Sequence, residues 1–233
     1  MFLASSRSGR YVESMDDLDT APTAVSRSGG ASLRIGDRAP NFHARSTTGP
    51  VEMAAYAGRW LVFFSHPADF TPVCTSEFVA FAKASESFEM LDCDLLALSV
   101  DSLYSHFAWV RAIRDRFDVE VRFPIVEDPT LIVGQAYGMV APDAHDAGAV
   151  RSVFVIDPKQ VVRAIVTYPV EIGRSIEEIL RLVAALQAAD AASGFPPEGW
   201  HPGQPLLQRP TPTLDSVFSA DEPTRWFLDE MPQ

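Results

Sequence analysis

Three short, uninterrupted apolar runs constrain the fold of this chain more than any other feature of its sequence. They span Trp60–Ser65, Leu95–Val100 and Ser152–Ile156. Runs of this length are typical of β-strands that are buried on both faces. Stretches with apolar residues at helical spacing lie between them, over Cys74–Met90 and Leu103–Phe117. The alternation predicts an α/β fold in which helices cover both faces of a mixed sheet.

A further strand and a further helix are predicted after the third run. The segment Asp157–Gln160 has the composition of a turn, and it separates Ser152–Ile156 from the strand-like run Val161–Tyr168. Ser175 and Glu178 then have the spacing of a capping box. The apolar residues that follow recur on one helical face, which predicts an amphipathic helix.

Composition divides the 233 residues into three segments. Residues 1–32 are rich in Ser, Arg, Gly and Asp, and we expect a flexible extension, because such a segment buries little apolar surface. Residues 33–190 contain the predicted strands and helices. Residues 191–233 hold 8 of the 18 prolines, which forbids long helices there. This Pro-rich tail nevertheless carries many large apolar residues, so we expect it to pack on the core or on a partner subunit.

Charge and cysteine content exclude several classes of protein. The formal net charge of −12 argues against a nucleic-acid-binding protein, which normally carries a basic surface. No apolar run approaches the roughly 18 residues of a membrane span, and the first residues lack the apolar core of a secretory signal. Two cysteines, Cys74 and Cys93, are too few for a disulfide framework or a four-cysteine zinc site. We therefore expect a cytoplasmic protein without a metal.

Cys74 is the residue whose surroundings point most directly to chemistry. Thr71 suits a helix N-cap and Pro72 the first helical position, so that Cys74 becomes the third residue of a helix. At that position the unpaired N–H groups and the helix dipole favour a thiolate. Spacing alone leaves a second interpretation equally open, in which Cys74 is a small apolar residue of the core.

The residues around Cys74 resemble the peroxiredoxin family. The pattern Pro-x-x-x-Thr-x-x-Cys over Pro67–Cys74 matches the active-site signature of that family. The likeness covers about residues 33–190 and includes these further segments: Ser65–Pro67, Thr75–Phe78, Leu95–Ser102, His106–Trp109, Phe123–Ile125, Arg151–Ile156, Tyr168–Pro169 and Gly173–Arg174. The resemblance implies a thioredoxin-like fold with peroxiredoxin elaborations and a C-terminal extension.

The resemblance also assigns roles to four residues of the site. It implies that Cys74 attacks the peroxide O–O bond and becomes a sulfenic acid. It implies that the Thr71 hydroxyl contacts the peroxide, that Arg151 activates the thiolate and polarises the peroxide, and that Pro67 shields the pocket from water. These roles are chemically sensible, because a guanidinium and a hydroxyl can stabilise the charge that develops on the leaving oxygen.

Three more residues are candidate supporting groups. In the one-cysteine branch that this sequence resembles, the residue matching His66 lies near the sulfur, although a loop histidine with only a structural role fits equally well. Glu77 and Arg174 are expected to brace Arg151 or each other. Both could equally be ordinary partners in structural ion pairs.

The position of the second cysteine predicts the one-cysteine type of peroxiredoxin. Two-cysteine members commonly carry a resolving cysteine in the tail, where this chain has Pro197–Pro202 and no cysteine. Cys93 does not match a usual resolving position. The resemblance thus implies that an external thiol such as glutathione or thioredoxin reduces Cys74. Some one-cysteine relatives also have a phospholipase serine, but Arg59 stands at that position here.

The leading prediction is a thiol peroxidase that reduces hydrogen peroxide and alkyl hydroperoxides without metal, haem or flavin. One alternative is a peroxide sensor or chaperone-like assembly that uses Cys74 without efficient turnover. Another is a thioredoxin-like interaction module without catalytic activity. The resemblance further implies a homodimer, which in some members assembles into a larger ring.

Overall fold

The computed structural model describes residues 23–24, 33–140, 150–220 and 224–231. The flexible extension predicted for residues 1–32 falls outside this part of the chain, apart from residues 23–24. The chain divides into two compact units, of which one ends at Ile176 and the other begins at Glu177. The proposed boundary at residues 190/191 and the packing of the tail stay predictions.

Eight strands of the described residues form one mixed sheet in the first unit. The strands are β1 (Thr23–Ala24), β2 (Phe42–Ser46), β3 (Gly49–Glu52), β4 (Trp60–Ser65), β5 (Cys93–Ser99), β6 (Ile125–Glu127), β7 (Arg151–Ile156) and β8 (Val162–Tyr168). Their order is β1-β2-β6-β5-β4-β7-β8, and β3 pairs with β2. The pairs β4–β5 and β5–β6 are parallel, whereas β4–β7 and β7–β8 are antiparallel. The predicted mixed sheet is therefore confirmed.

The helices are α1 (Pro72–Lys83), α2 (Ser85–Met90), α3 (Leu103–Phe117), α4 (Ile132–Ala136), α5 (Ile176–Ala192) and α6 (Leu214–Ser219). A short 3-10 helix spans Met53–Tyr56.

Helices cover both faces of the central strand β4. Neighbouring residues of a strand point to opposite faces, so the side chains of Phe63 and Phe64 lie on opposite faces of the sheet. The Phe63 ring lies 4.8 Å from that of Tyr137, at the end of α4. The Phe64 ring stacks 4.1 Å from that of Phe81 on α1. All six residues of β4 are buried, as its uninterrupted apolar run predicts.

Most predicted elements are confirmed, but one helix prediction is wrong. Cys74–Met90 is not one helix: α1 begins two residues earlier, and a break at Ala84 separates it from α2. The Ser85 hydroxyl bonds the Phe81 carbonyl at 3.2 Å, and such backbone competition by serine commonly bends helices. The strands β2, β3 and β6 are not predicted, because β2 (Phe-His-Ala-Arg-Ser) and β3 (Gly-Pro-Val-Glu) are not continuous apolar runs and β6 is only three residues long.

Candidate active site

Cys74 lies where the central strand gives way to a helix. The loop of residues 66–71 connects β4 to α1, and Thr71 is the N-cap residue of α1. Cys74 is consequently the third residue of the helix, as predicted, and its side chain is fully buried. The first turn of a helix places unpaired backbone N–H groups and partial positive charge beside the sulfur.

Thr71 occupies the N-cap position, yet its side chain does not cap the helix. The hydroxyl instead donates to the Ala68 carbonyl at 2.9 Å. The single proton of the hydroxyl is used within the loop, and the oxygen keeps lone pairs with which it can accept another hydrogen bond. An oxygen so placed can receive the O–H of a bound peroxide.

Arg151 places a positive charge beside the sulfur. Its Nη1 atom lies 3.3 Å from Cys74 Sγ and 2.7 Å from Glu77 Oε2. The same side chain donates from Nε to the Val170 carbonyl at 2.8 Å, and Arg151 is only 1% exposed. Three acceptors therefore fix the direction of the guanidinium, which is the fork geometry that arginine offers and lysine does not.

Glu77 joins the two buried arginines of the site. Its carboxylate accepts from Arg174 through the backbone N–H at 2.7 Å, Nε at 2.9 Å and Nη2 at 2.8 Å, in addition to Arg151. Burial opposes ionisation of Glu77, but the hydrogen bonds from Arg174 and the charges of both arginines outweigh it and lower the pKa. Two guanidinium groups and one carboxylate leave one positive charge, which a Cys74 thiolate would balance.

Arg174 fastens this cluster to the sheet. Its Nη1 atom donates to the carbonyls of Ser65 at 2.9 Å and Ser152 at 3.1 Å, which lie on the neighbouring strands β4 and β7. Its guanidinium also lies over the Phe64 ring, 5.3 Å from the centroid. Glu77 and Arg174 thus contact each other, and Glu77 also contacts Arg151.

His66 and Pro67 belong to the same loop, and no hydrogen bond joins His66 to the sulfur within the described part of the chain. His66 is fully buried, and its Nε2 atom lies 2.9 Å from Asp69 Oδ1. Its Nδ1 atom has no hydrogen-bond partner in the part of the chain that the structure describes. Burial lowers the pKa of His66 and so favours the neutral ring. Pro67 is half-buried, and its shielding role stays a prediction.

One group of the described residues has spacing suitable for a metal ion. One ligand atom from each of His66, Asp69 and His106 lies within 4.8 Å of the others, and all three residues are buried. The pattern around Cys74 does not reveal this group, because Asp69 and His106 are 37 positions apart. Both were within reach of the sequence, since each lies inside a segment that resembles the peroxiredoxins.

The second cysteine lies elsewhere in the sheet. Cys93 is the first residue of β5 and pairs with Trp60 at the start of β4, whereas Cys74 follows the end of β4. Both cysteines are unbridged. Burial, reinforced by the neighbouring Asp94 carboxylate, raises the pKa of Cys93 well above its ordinary value. Arg59 pairs with Asp94 at 2.8 Å.

The site thus contains a buried cysteine at a helix N-terminus, just after the end of a central strand, and an arginine that bonds its sulfur. This arrangement defines a thiol-based redox site. Comparison with known proteins agrees. The sequence profile of the AhpC/TSA family matches residues 35–165. A protein named peroxiredoxin 2, from Caldanaerobacter subterraneus subsp. tengcongensis, is 48% identical over 184 residues, which are 79% of this chain and 83% of the relative.

Solved structures give the same result. The yeast mitochondrial 1-Cys peroxiredoxin is 40% identical, with a TM-score of 0.73 over 79% of this chain and 91% of its own. The reduced 2-Cys peroxiredoxin of Plasmodium vivax is 28% identical, with a TM-score of 0.69 over 75% of this chain and 92% of its own.

The chain belongs to the AhpC/TSA family and, within it, to the peroxiredoxins. The expected thioredoxin-like fold is confirmed, and so is the assignment as a thiol peroxidase. Relatives of this fold include both one-cysteine and two-cysteine proteins. No helix among the described residues is long and apolar enough to cross a membrane.

Proposed function

We propose that this peroxiredoxin is of the one-cysteine type and reduces hydrogen peroxide and alkyl hydroperoxides through Cys74. The thiolate attacks one peroxide oxygen, so that an S–O bond forms while the O–O bond breaks. The sulfur becomes a sulfenic acid, and the departing oxygen takes a proton and leaves as water or an alcohol. An external thiol then forms a mixed disulfide with Cys74 and releases water, and a second thiol regenerates Cys74.

The observation that carries this proposal is the 3.3 Å contact between Arg151 Nη1 and Cys74 Sγ. A fixed guanidinium at that distance stabilises the attacking thiolate. It also stands beside the oxygen on which negative charge develops as the O–O bond breaks. Such aimed charge lowers the barrier because it needs no reorganisation during the reaction. The free lone pairs of Thr71 Oγ1 supply an acceptor that orients the peroxide proton.

The one-cysteine mechanism is supported by the distance of Cys93 from this site. Because Trp60 pairs with Cys93 and Ser65 with Leu98, the length of β4 separates Cys93 from the loop that leads to Cys74. Five residue steps at a strand rise of about 3.3 Å give about 17 Å. A disulfide needs Cα atoms within about 7 Å. The raised pKa of Cys93 also keeps it a thiol, which is a poor attacking group.

Reductant, compartment and assembly belong to the same proposal. The yeast 1-Cys peroxiredoxin is described with glutathione and thioredoxin systems as its thiol-resolving partners, and we propose a thiol of this kind here. We propose the cytoplasm as the compartment, where both cysteines stay reduced between turnovers. We also propose a homodimer in which residues 191–233 pack on the core or on the partner.

A pair of variants tests the proposal. Cys74→Ser should abolish peroxide consumption in the presence of excess dithiothreitol, whereas Cys93→Ser should retain the parent rate. Loss of activity in Cys93→Ser would contradict the one-cysteine mechanism, and retained activity in Cys74→Ser would contradict the catalytic assignment. A peroxide sensor would instead oxidise Cys74 once and then stall, so sustained turnover with excess thiol separates the two functions.

A further inference from the structure

One carboxylate in the β4–α1 loop is shared by two buried histidines. Asp69 Oδ1 lies 2.9 Å from Nε2 of His66, and Asp69 Oδ2 lies 2.7 Å from Nδ1 of His106. Both imidazole rings are fully buried, and the Asp69 side chain is 2% exposed. His66 directly follows β4, whereas His106 lies on α3, so the carboxylate joins the loop to a separate element.

The backbone of Asp69 is held as well. Its N–H donates to Asp101 Oδ2 at 2.8 Å, and the same oxygen accepts from the Ser99 hydroxyl at 2.9 Å. Ser99 is the last residue of β5. The middle of the loop is therefore tied to the end of the strand beside β4, in addition to α3.

The loop needs such restraint because its backbone is strained. Phe70 has φ of 58°, in the left-handed region that a side chain with a Cβ atom disfavours by about 1–2 kcal/mol. Phe70 stands between Asp69 and the N-cap residue Thr71, and 59% of its surface is exposed, so packing of its own ring holds it only weakly. The hydrogen bonds of Asp69 lie on one side of Phe70, and the bond from the Thr71 hydroxyl to the Ala68 carbonyl spans the same turn.

Protonation within the cluster follows from its hydrogen bonds. Burial opposes ionisation of Asp69, but the hydrogen bonds from His106 and His66 outweigh it and lower the pKa, so the carboxylate stays charged. A charged carboxylate can only accept, so each ring bonds it through an N–H, from Nε2 of His66 and from Nδ1 of His106. The opposite nitrogens, His66 Nδ1 and His106 Nε2, have no hydrogen-bond partner among the described residues.

We propose that Asp69, with the N–H groups of His66 and His106, is a positioning clamp that sets the loop carrying Pro67 and Thr71 for reaction with peroxide. None of the three has to touch the substrate. The clamp acts through Thr71, whose hydroxyl must lie on the peroxide side of Cys74. This inference rests on the proposed peroxidase mechanism, and it adds Asp69 and His106 to the residues on which the rate depends.

A crossed set of substitutions tests the clamp. The amide nitrogen of asparagine stands near the position of histidine Nδ1, and that of glutamine near Nε2. His106→Asn and His66→Gln therefore keep the N–H donor to Asp69, whereas His106→Gln and His66→Asn misplace it. Asparagine thus keeps the hydrogen bond to Asp69 at position 106 and loses it at position 66, whereas glutamine does the reverse.

The measurements are the second-order rate constants of Cys74 with hydrogen peroxide and with iodoacetamide. Alkylation needs the thiolate but not the Thr71 hydroxyl. We expect the two misplaced variants to lose about tenfold to a hundredfold in the peroxide rate constant, with alkylation changed less than about threefold. The two rescue variants should stay within about threefold of the parent protein in both reactions.

Several results would overturn the clamp. One is a peroxide rate constant in the misplaced variants that equals that of the parent protein. Another is a loss in the rescue variants as large as the loss expected of the misplaced variants. This second result overturns the clamp even if the misplaced variants do not fold. A third is a parent rate that falls with a chelator and returns with Zn²⁺, which would make the cluster a metal site. Failure of the parent protein to consume peroxide with thiol would instead refute the proposed function.

Discussion

At the scale of single residues, the site depends on one guanidinium that serves three acceptors. Arg151 bonds the sulfur of Cys74, the carboxylate of Glu77 and the carbonyl of Val170. Glu77 in turn is held by Arg174, so the direction of Arg151 is fixed from several sides. The reactivity of Cys74 is in this account a property of the cluster rather than of the thiol alone.

Arg151→Lys tests this dependence. An ammonium keeps the charge but cannot bond all three acceptors with fixed geometry, so we expect the peroxide rate constant to fall about a hundredfold. Stopped-flow measurement of peroxide reduction checks it. The exposed pair of Arg122 with Glu120 offers a matched control, because Arg122→Lys should leave the rate unchanged. A parent-like rate in Arg151→Lys would count against an aimed guanidinium.

At the scale of elements, two helix N-termini use their cap residues differently. Ser102 caps α3 by accepting from the Ser105 N–H at 3.4 Å, whereas Thr71 leaves α1 without a side-chain cap. The Thr71 hydroxyl bonds the Ala68 carbonyl instead, and its remaining lone pairs are the acceptor that we propose for the peroxide.

Substitution of Thr71 should therefore change mainly the peroxide rate constant, whereas substitution of Ser102 should change mainly the stability. Thr71→Val should lower the peroxide rate constant about tenfold or more, with at most about 1 kcal/mol lost from the free energy of unfolding. Thr71→Ser should keep the rate. Ser102→Ala should cost about 1 kcal/mol in urea unfolding and leave the rate unchanged. Equal rates for Thr71→Val and Thr71→Ser would remove the hydroxyl from the mechanism.

The sequence predicts elements well where one physical signal dominates. The apolar runs predict the buried strands, and Trp60–Ser65 and Leu103–Phe117 have the predicted bounds. The break at Ala84 is not predicted, because it depends on a serine hydroxyl that bonds backbone one turn earlier. The cap position of Thr71 is predicted, but the direction of its hydroxyl is a property of the folded loop.

At the scale of the whole molecule, the sheet assembles the site from distant positions. Arg151 is 77 residues from Cys74, and Arg174 is 97 residues from Glu77. The antiparallel pairing of β4 with β7 brings Arg151, at the start of β7, to the end of β4 that leads to Cys74. No local pattern encodes such contacts, so these partners were predicted only through the family resemblance. The clamp proposed for Asp69 was not predicted, because the sequence does not place Asp69 in contact with His106, although both residues lie in segments that resemble the peroxiredoxins.

Buried ionisable groups should make the stability of the whole molecule depend on pH. The pKa of His66 is lowered, so below about pH 6.5 this histidine binds a proton in the unfolded chain but not in the folded chain. The free energy of unfolding therefore falls as the pH falls. Glu77 and Asp69, with lowered pKa values, act in the same direction below about pH 4.5. Asp128, whose pKa burial raises, opposes them.

We therefore expect the free energy of unfolding in urea to fall between pH 6.5 and 5 by about 1.4 kcal/mol per pH unit for the His66 proton. His66→Gln should remove this part of the dependence. Stability that is constant or rises as the pH falls through this range would show that His66 is not held neutral by the fold.

Of the two cysteines, only Cys74 should carry the oxidation chemistry. Mass spectrometry of the protein after one equivalent of hydrogen peroxide tests it most directly, with and without glutathione. We expect one added oxygen atom on the peptide that contains Cys74, replaced by one glutathione when the thiol is present, with Cys93 unmodified. A disulfide between Cys74 and Cys93, or oxidation confined to Cys93, would contradict it.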